Sequence, residues 1–235
     1  MLNENVKKFL PFIEELRHKL FTSAIIFAVT FFVGVFLTGP ILKILTTKYS
    51  IEKVVIATTS PFQITDLAVN LGIFFGLVIT IPIVIFQIYS FIFPGLTKKE
   101  KKILITSVPI CIFLFFIGFS FGASVLFVAF NFLANLNTKL GIQNIWTINS
   151  YFSEIFLTSS LMGLLFQFPL ILTGLMKLKM LSVVALKNKR RLAWFISFII
   201  VSLLPPTDGL SLIIMATPII LLYEITIFIN RKHRF

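Results

Sequence analysis

The feature that most constrains this chain is where its 21 Lys and Arg residues do not occur: none falls inside the long apolar runs that make up most of the sequence. They gather in short connecting segments that alternate between crowded and sparse. Residues 1–20 hold four, 93–102 four, 177–191 six and 231–235 three, whereas 39–66 hold three, 131–151 one and 205–209 none. Taken as two sides, alternate segments carry seventeen cations against four. Basic connections are retained on the cytoplasmic side of a membrane, so the pattern predicts cytoplasmic N and C termini and an even number of crossings, namely six.

Composition agrees. Hydrophobic residues make up 57% of the chain and charged residues only 13%, with a mean hydropathy of +1.01, whereas a soluble domain carries about 25% charged residues. An all-α integral membrane protein follows, with 1–235 read as a single polytopic domain. The net charge of +12 is explained by retained loops, and no basic stripe of the kind that binds nucleic acid is visible. Cys111 is the single cysteine, so no internal disulfide is possible and a cysteine metal site has no support. His18 and His233 lie near opposite ends, and no cofactor is expected. The charged first twenty residues, with Pro11 among them, do not read as a cleavable signal peptide.

The predicted spans are 20–37, 67–93, 103–132, 151–175, 192–204 and 210–229. The first has 18 residues, enough for a hydrocarbon core of about 30 Å at about 1.5 Å per residue. Before it, Phe9, Leu10, Phe12, Ile13, Leu16 and Leu20 recur at helical spacing opposite Lys7, Lys8, Glu14, Glu15 and His18, which predicts an amphipathic helix in the membrane interface. Ser60-Pro61-Phe62-Gln63 is a helix-start signal in which Ser60 caps, Pro61 occupies the first turn and Gln63 closes a capping box. Pro82 is a candidate kink. Thr97-Lys98-Lys99-Glu100 is a second capping box, opening a helix expected to reach Phe132, and 134–149 reads as a short polar loop. The fourth run contains Pro169 and Gln167. The fifth, 13 residues ending at Pro205-Pro206, is too short for a full crossing, and the sixth is interrupted by Pro218.

Five motifs in order resemble the TatC family, the polytopic core of the twin-arginine protein translocase. Ile13-Glu14-Glu15-Leu16-Arg17 with Leu20 is similar to its N-terminal H-L-x-E-L-R-x-R-L. Phe91-Ile92-Phe93-Pro94-Gly95-Leu96 followed by Glu100 is similar to F-x-x-P-x-L with a downstream Glu. Phe166-Gln167-Phe168-Pro169 resembles F-E/Q-x-P, 203–211 resembles L-T-P-P-D-x-x-S-Q, and Pro218 with Leu222-Tyr223-Glu224 resembles P-x-x-x-L-Y/F-E. The resemblance covers nearly the whole chain. It implies six helices in a concave, glove-like arrangement with the last two short. It also implies a bacterial cytoplasmic membrane, or else an organellar one.

For the residues, the resemblance implies that Glu15 and Glu100 bind the two arginines of a signal peptide, guanidinium forks being suited to carboxylates. Leu16, Arg17, Phe91, Pro94 and Leu96 would complete that site. Each acid also has a local explanation: Glu100 completes the Thr97 capping box, and Glu15 is spaced to pair with Lys19. Gln167, mid-span, reads either as an interhelical hydrogen-bonding residue or, by the resemblance, as part of the concave inner wall. Asp208 reads as the cap of the last helix. The resemblance further implies that single-span proteins of the TatA and TatB type pack near Val201, Ser202, Leu203 and Leu204, and that the protein self-associates. Departures from the family pattern are Phe12, Gln63, Thr207 and Leu212. Glu154 and Glu224 lie near span ends, and the 29 Phe residues read as lipid-facing and packing surface.

The leading function is therefore a receptor and translocation core. It would be driven by the proton-motive force, since no nucleotide-binding loop is present. A small proton- or ion-coupled secondary transporter is the alternative, but such proteins carry midplane ionisable residues and internal repeats. Here Gln167 is the mid-span polar residue and no repeat is visible. An intramembrane enzyme lacks any Ser/His, Asp/Asp or metal constellation.

Overall fold

The computed structural model describes residues 4–48, 54–92, 98–177, 181–205 and 208–231. Its elements are α1 (Glu4–Phe36), α2 (Thr38–Lys48), β1 (Val54–Ala57), α3 (Gln63–Ile92), α4 (Lys98–Lys139), β2 (Asn144–Thr147), α5 (Ile148–Leu165), α6 (Phe168–Lys177), α7 (Val183–Asn188), α8 (Arg190–Ser202) and α9 (Gly209–Asn230). Among the described residues, five stretches are long and apolar enough to cross a bilayer: Arg17–Phe36, Gln63–Ile85, Pro109–Lys139, Ile148–Met176 and Gly209–Asn230. The predicted fifth span is present as α8, whose 13 residues reach only about 20 Å. By contrast α9 has 22 residues, about 33 Å, and runs through Pro218 unbroken. Of the two final helices expected to be short, only α8 is.

Nothing in the sequence breaks the helix between the N-terminal amphipathic segment and the first apolar run. Both therefore form one 33-residue helix, α1, rather than an interfacial helix followed by a span. Pro82 and Pro109 likewise sit inside continuous helices. The fourth run, expected as one helix, is two. Pro169 has no N–H to donate to the Leu165 carbonyl, and the chain turns at Phe166 and Gln167. There the Gln167 N–H bonds to Leu164 O at 3.0 Å, and the helix resumes with Leu170 N–H to Gln167 O at 3.0 Å.

Helix α4 extends beyond Phe132 to Lys139 and is 42 residues long. Buried Asn144 secures the extra turns, its Nδ2 donating to Ala134 O at 3.0 Å and its Oδ1 accepting from Asn137 Nδ2 at 2.8 Å. Gly141, at φ 75°, then closes a Schellman turn in which Ile142 N–H bonds to Asn137 O and Gly141 N–H to Thr138 O. The segment expected as a plain loop also contains β2. It pairs in parallel with β1, Val54 opposite Asn144 and Ala57 opposite Thr147. The start of α3 differs in detail as well. Gln63 closes on Thr59, its Nε2 donating to Thr59 Oγ1 at 2.6 Å and its Oε1 accepting the Thr59 N–H at 3.4 Å. The predicted Ser60–Gln63 capping box is therefore replaced by a Thr59–Gln63 side-chain clasp across the turn that Pro61 and Phe62 form ahead of the helix.

Two antiparallel pairs organise the bundle. Between α1 and α3, Ser23 Oγ donates to Gln87 Oε1 at 2.8 Å. Further along, a Cβ added at Gly34 would meet both Gly72 Cα and Leu71 O at 2.8 Å. Between α4 and α5, a Cβ at Gly118 would meet Met162 O at 2.7 Å, and one at Gly122 would meet Ser159 Cα at 2.9 Å. Lipid tails are as apolar as the helix faces, so close backbone approach rather than hydrophobic burial drives association here. Helices α8 and α9 join α4 and α5 through a core of Val125, Met162, Phe166, Val201, Leu204, Met215, Ala216 and Ile219. Outward, Phe21, Phe32, Phe36 and Phe113 are exposed, as a bilayer-facing surface requires.

Candidate functional site

The antiparallel registers sort the helix ends into two sets. Position 15 lies eight residues before Ser23, about 12 Å along α1, and Phe91 lies four residues beyond Gln87, about 6 Å along α3. Both point the same way from the Ser23–Gln87 contact. Core packing of Ile81 and Ile85 against Cys111 and Phe115 sets α4 antiparallel to α3, so α4 begins at that same end. The contact of Gln167 with Cys111 brings the C-terminal end of α6 there too. Asn230 Nδ2 donates to Thr173 Oγ1 at 3.2 Å, which adds the end of α9. This is the end where the basic segments cluster, and the helix positions of both Glu15 and Glu100 belong to it.

The backbone of Glu15, Leu16 and Phe91 is helical, as is that of Glu100 in the first turn of α4, while their side chains lie outside the described set. Arg17 is exposed. Pro94, Leu96 and Thr97, and with Thr97 the predicted capping box, lie outside the described residues. In the last third of the chain the basic end is better defined. Arg190 Nη2 pairs with Glu224 Oε2 at 2.9 Å, both side chains partly exposed, and Tyr223 OH donates to Leu186 O at 2.7 Å. Glu224 is thus an ion-paired residue at the junction of α8 and α9, a pair worth no more than about 1 kcal/mol at such exposure.

Gln167 is fully buried. Its Nε2 donates to Cys111 O at 3.1 Å and to Gly163 O at 3.2 Å. The second acceptor has a local cause: the Gln167 N–H has moved to Leu164 O, leaving the Gly163 carbonyl without its usual helical donor, and the side chain supplies one. Gln167 therefore joins α4 to the α5–α6 break instead of lining an open inner wall. Its Oε1 has no partner among the described residues.

At the opposite end, Pro205 O accepts from Thr158 Oγ1 at 3.1 Å, tying the end of α8 to α5. Pro206 lies outside the described residues. Ser60 Oγ accepts from Phe62 N–H at 3.4 Å, and Pro61 is exposed in the turn before α3. Asp208 caps α9, its Oδ2 accepting from Ser211 N–H at 2.8 Å. Asp208→Ala is expected to lower stability by about 1 kcal/mol, read as a small drop in thermal midpoint in detergent. Of the four residues expected to meet partner helices, Val201 and Leu204 turn into the core, and Ser202 and Leu203 face outward. Glu154 is half-buried and lines a cavity of about 260 Å³ with Tyr151 and Trp146.

Sequence reasoning missed the close crossings and the Arg190–Glu224 pair. The four-residue spacings of Gly72 with Gly76 and Gly118 with Gly122 were the available signal for the crossings. Arg190 and Glu224 stand 34 positions apart, and no local spacing links them.

Long apolar helices, an apolar exterior and a basic end opposed to a sparsely charged one define a polytopic helical integral membrane protein. The family model for TatC, Sec-independent protein translocase protein, matches residues 11–218. The chain belongs to the TatC family. It is 32% identical over 231 residues to Sec-independent protein translocase protein TatCy of Bacillus subtilis (strain 168), a match covering 97% of this chain and 90% of that protein. To the TatC protein of Halalkalibacterium halodurans it is 28% identical, over 97% of this chain and 91% of that one. Among solved structures it is similar to the twin arginine translocase receptor TatC in DDM, with a TM-score of 0.80 and 28% identity over 93% of this chain and 98% of that one. A further TatC crystal structure gives a TM-score of 0.78 at 27% identity. The chain is a component of a Sec-independent protein translocase, integral to a membrane of the bacterial type.

Proposed function

We propose that this chain is the signal-peptide receptor of a twin-arginine translocase, with its basic end, and so both termini, on the cytoplasmic side and six membrane crossings. Glu15 and Glu100 take the two guanidinium groups of the incoming peptide, and the peptide's apolar stretch lies along the concave face of the bundle. Single-span subunits of the TatA and TatB type pack against the outward face of α8, near Ser202 and Leu203. Several copies assemble, and transport of the folded cargo draws on the proton-motive force. The chain carries out no covalent chemistry in this scheme.

The observation that carries the reading is the family membership across 11–218, supported by the positions of both acids on helix segments of the same, basic end. Lysines surround Glu100 in the sequence. A twin-arginine peptide must therefore be held by directed carboxylate–guanidinium bonds rather than by the general field, which repels it. Peptide titration in detergent tests this. A twin-arginine peptide is expected to bind at least about tenfold more tightly than its Lys-Lys counterpart, about 1.4 kcal/mol. Glu15→Ala and Glu100→Ala should each erase that preference. Equal binding of the two peptides to the unaltered protein overturns the assignment.

A further inference from the structure

At the basic end, between α7, the start of α8 and the last turn of α9, lies an open cavity of about 480 Å³. Lys187, Arg190 and Arg231 surround it, with Glu224 as its one acid and Ile225 and Phe228 on its apolar side. We propose that this cavity binds the headgroup of an anionic glycerophospholipid, of the phosphatidylglycerol type, with an acyl chain lying along the outward face of α9.

The charge balance comes first. Three cations face one carboxylate, and that carboxylate already engages Arg190 at 2.9 Å. Lys187 and Arg231 form no ion pair among the described residues, so the cavity has two cations to offer a phosphodiester. The same balance argues against the arginines of a signal peptide as its occupant. It also argues against a zwitterionic lipid, which would bring a cation of its own.

Geometry adds a second argument. Arg190 opens α8 and Arg231 follows directly on α9, so both sit where apolar helix gives way to polar chain, the depth of lipid phosphates. Immediately toward the membrane from them, Phe228 is 75% exposed and Ile225 48% exposed. Leu221, one turn further along α9, is also exposed. These three continue the cavity as an apolar strip down α9, so the site has a polar head and an apolar tail at the spacing of a lipid. A soluble anion would use only the first part.

The framework around the cavity is held in place. Ser182 caps α7 by accepting from Ala185 N–H at 3.1 Å, and the Tyr223–Leu186 hydrogen bond fixes α7 against α9, which sets where Lys187 projects. The lipid assignment rests on the cavity alone; its leaflet, the cytoplasmic one, rests on the topology proposed above.

Native mass spectrometry and thermal unfolding of the full-length protein, delipidated in detergent and then given lipids, test the proposal. Phosphatidylglycerol should be retained and should raise the thermal midpoint, whereas phosphatidylcholine of the same chains should do neither. Each near-surface cation contributes a factor of roughly five to anionic lipid binding, so the Lys187→Gln, Arg231→Gln double variant should bind about 25-fold more weakly. Both residues are outside the core, and the double variant should keep its lipid-free midpoint. Retention of both lipids alike, or undiminished phosphatidylglycerol binding by the double variant, overturns the proposal. So does equal protection by millimolar inorganic phosphate, which would make this a free-phosphate site. Twin-arginine peptide binding, measured separately, distinguishes failure here from failure of the receptor assignment.

Discussion

Replacing Gly118 with Val should unfold the protein or lower its stability by at least about 4 kcal/mol, beyond the usual range for single substitutions. A Cβ at this position would lie 2.7 Å from Met162 O, 2.7 Å from Phe166 Cγ and 2.9 Å from Gly163 Cα. Two of these three neighbours are backbone atoms of α5, which no rotamer change can move, so the helices must separate. Separation loses the packing that associates helices in lipid and stretches the Gln167–Cys111 hydrogen bond, which ties α4 to the break just beyond α5. Gly118→Ala should already be destabilising, with Gly209→Ala as the contrast, since a Cβ there meets nothing within 4 Å. Thermal or SDS unfolding in micelles measures both. A Gly118→Val protein as stable as the parent would mean that α4 and α5 do not cross here.

The second large effect is expected at Gln167, where the family motif admits Glu as well as Gln. Gln167→Glu removes the Nε2 donor that serves Cys111 O and Gly163 O and puts a carboxylate oxygen against two carbonyl oxygens. Two buried acceptors then lose a donor, at about 1–3 kcal/mol. A buried charge with no cationic neighbour among the described residues adds several more. A loss of about 4 kcal/mol or more in the same unfolding assay is expected. Gln167→Leu, which leaves the carbonyls unserved but buries no charge, should cost about 2 kcal/mol. If Glu is tolerated without loss, the Gln167 amide does not bond as described. These results separate structural from functional roles at this position, because neither substitution touches the basic end where peptide binding is measured.

Hydropathy and charge alternation sufficed for the long apolar runs, since each depends only on neighbouring residues. What escaped depends on partners distant in sequence. The break at Phe166–Gln167 has a legible cause in Pro169 and a local repair in the Gln167 bond to Gly163 O, yet the bond that ties the break to α4 ends on Cys111, 56 residues away. Phe132 looks like the end of α4 by hydropathy, but Asn144 and Gly141 hold the helix to Lys139. Val201 and Leu204 read as partner-facing by family resemblance, yet a helix of 13 residues must bury one face to be held at all; Val201 is on that face, and Leu204, just past the helix end, is buried in the same core. At the candidate site, the chain order of the acids was legible, and the antiparallel registers show that both positions share one end.

The parallel pairing of β1 with β2 has a mechanical meaning. Strand β1 follows the α1–α2 arm, and β2 joins α4 to α5. Their four-residue ladder therefore fastens one antiparallel helix pair to the other at the end away from the cations. Prising the pairs apart there would mean breaking paired main-chain hydrogen bonds together, whereas no such ladder ties them among the described residues at the basic end. The two pairs are thus fastened at both ends by different means: by a main-chain ladder at the sparsely charged end, and at the basic end by the five-residue connection from α3 to α4 together with the packing of Ile81 and Ile85 against Cys111 and Phe115.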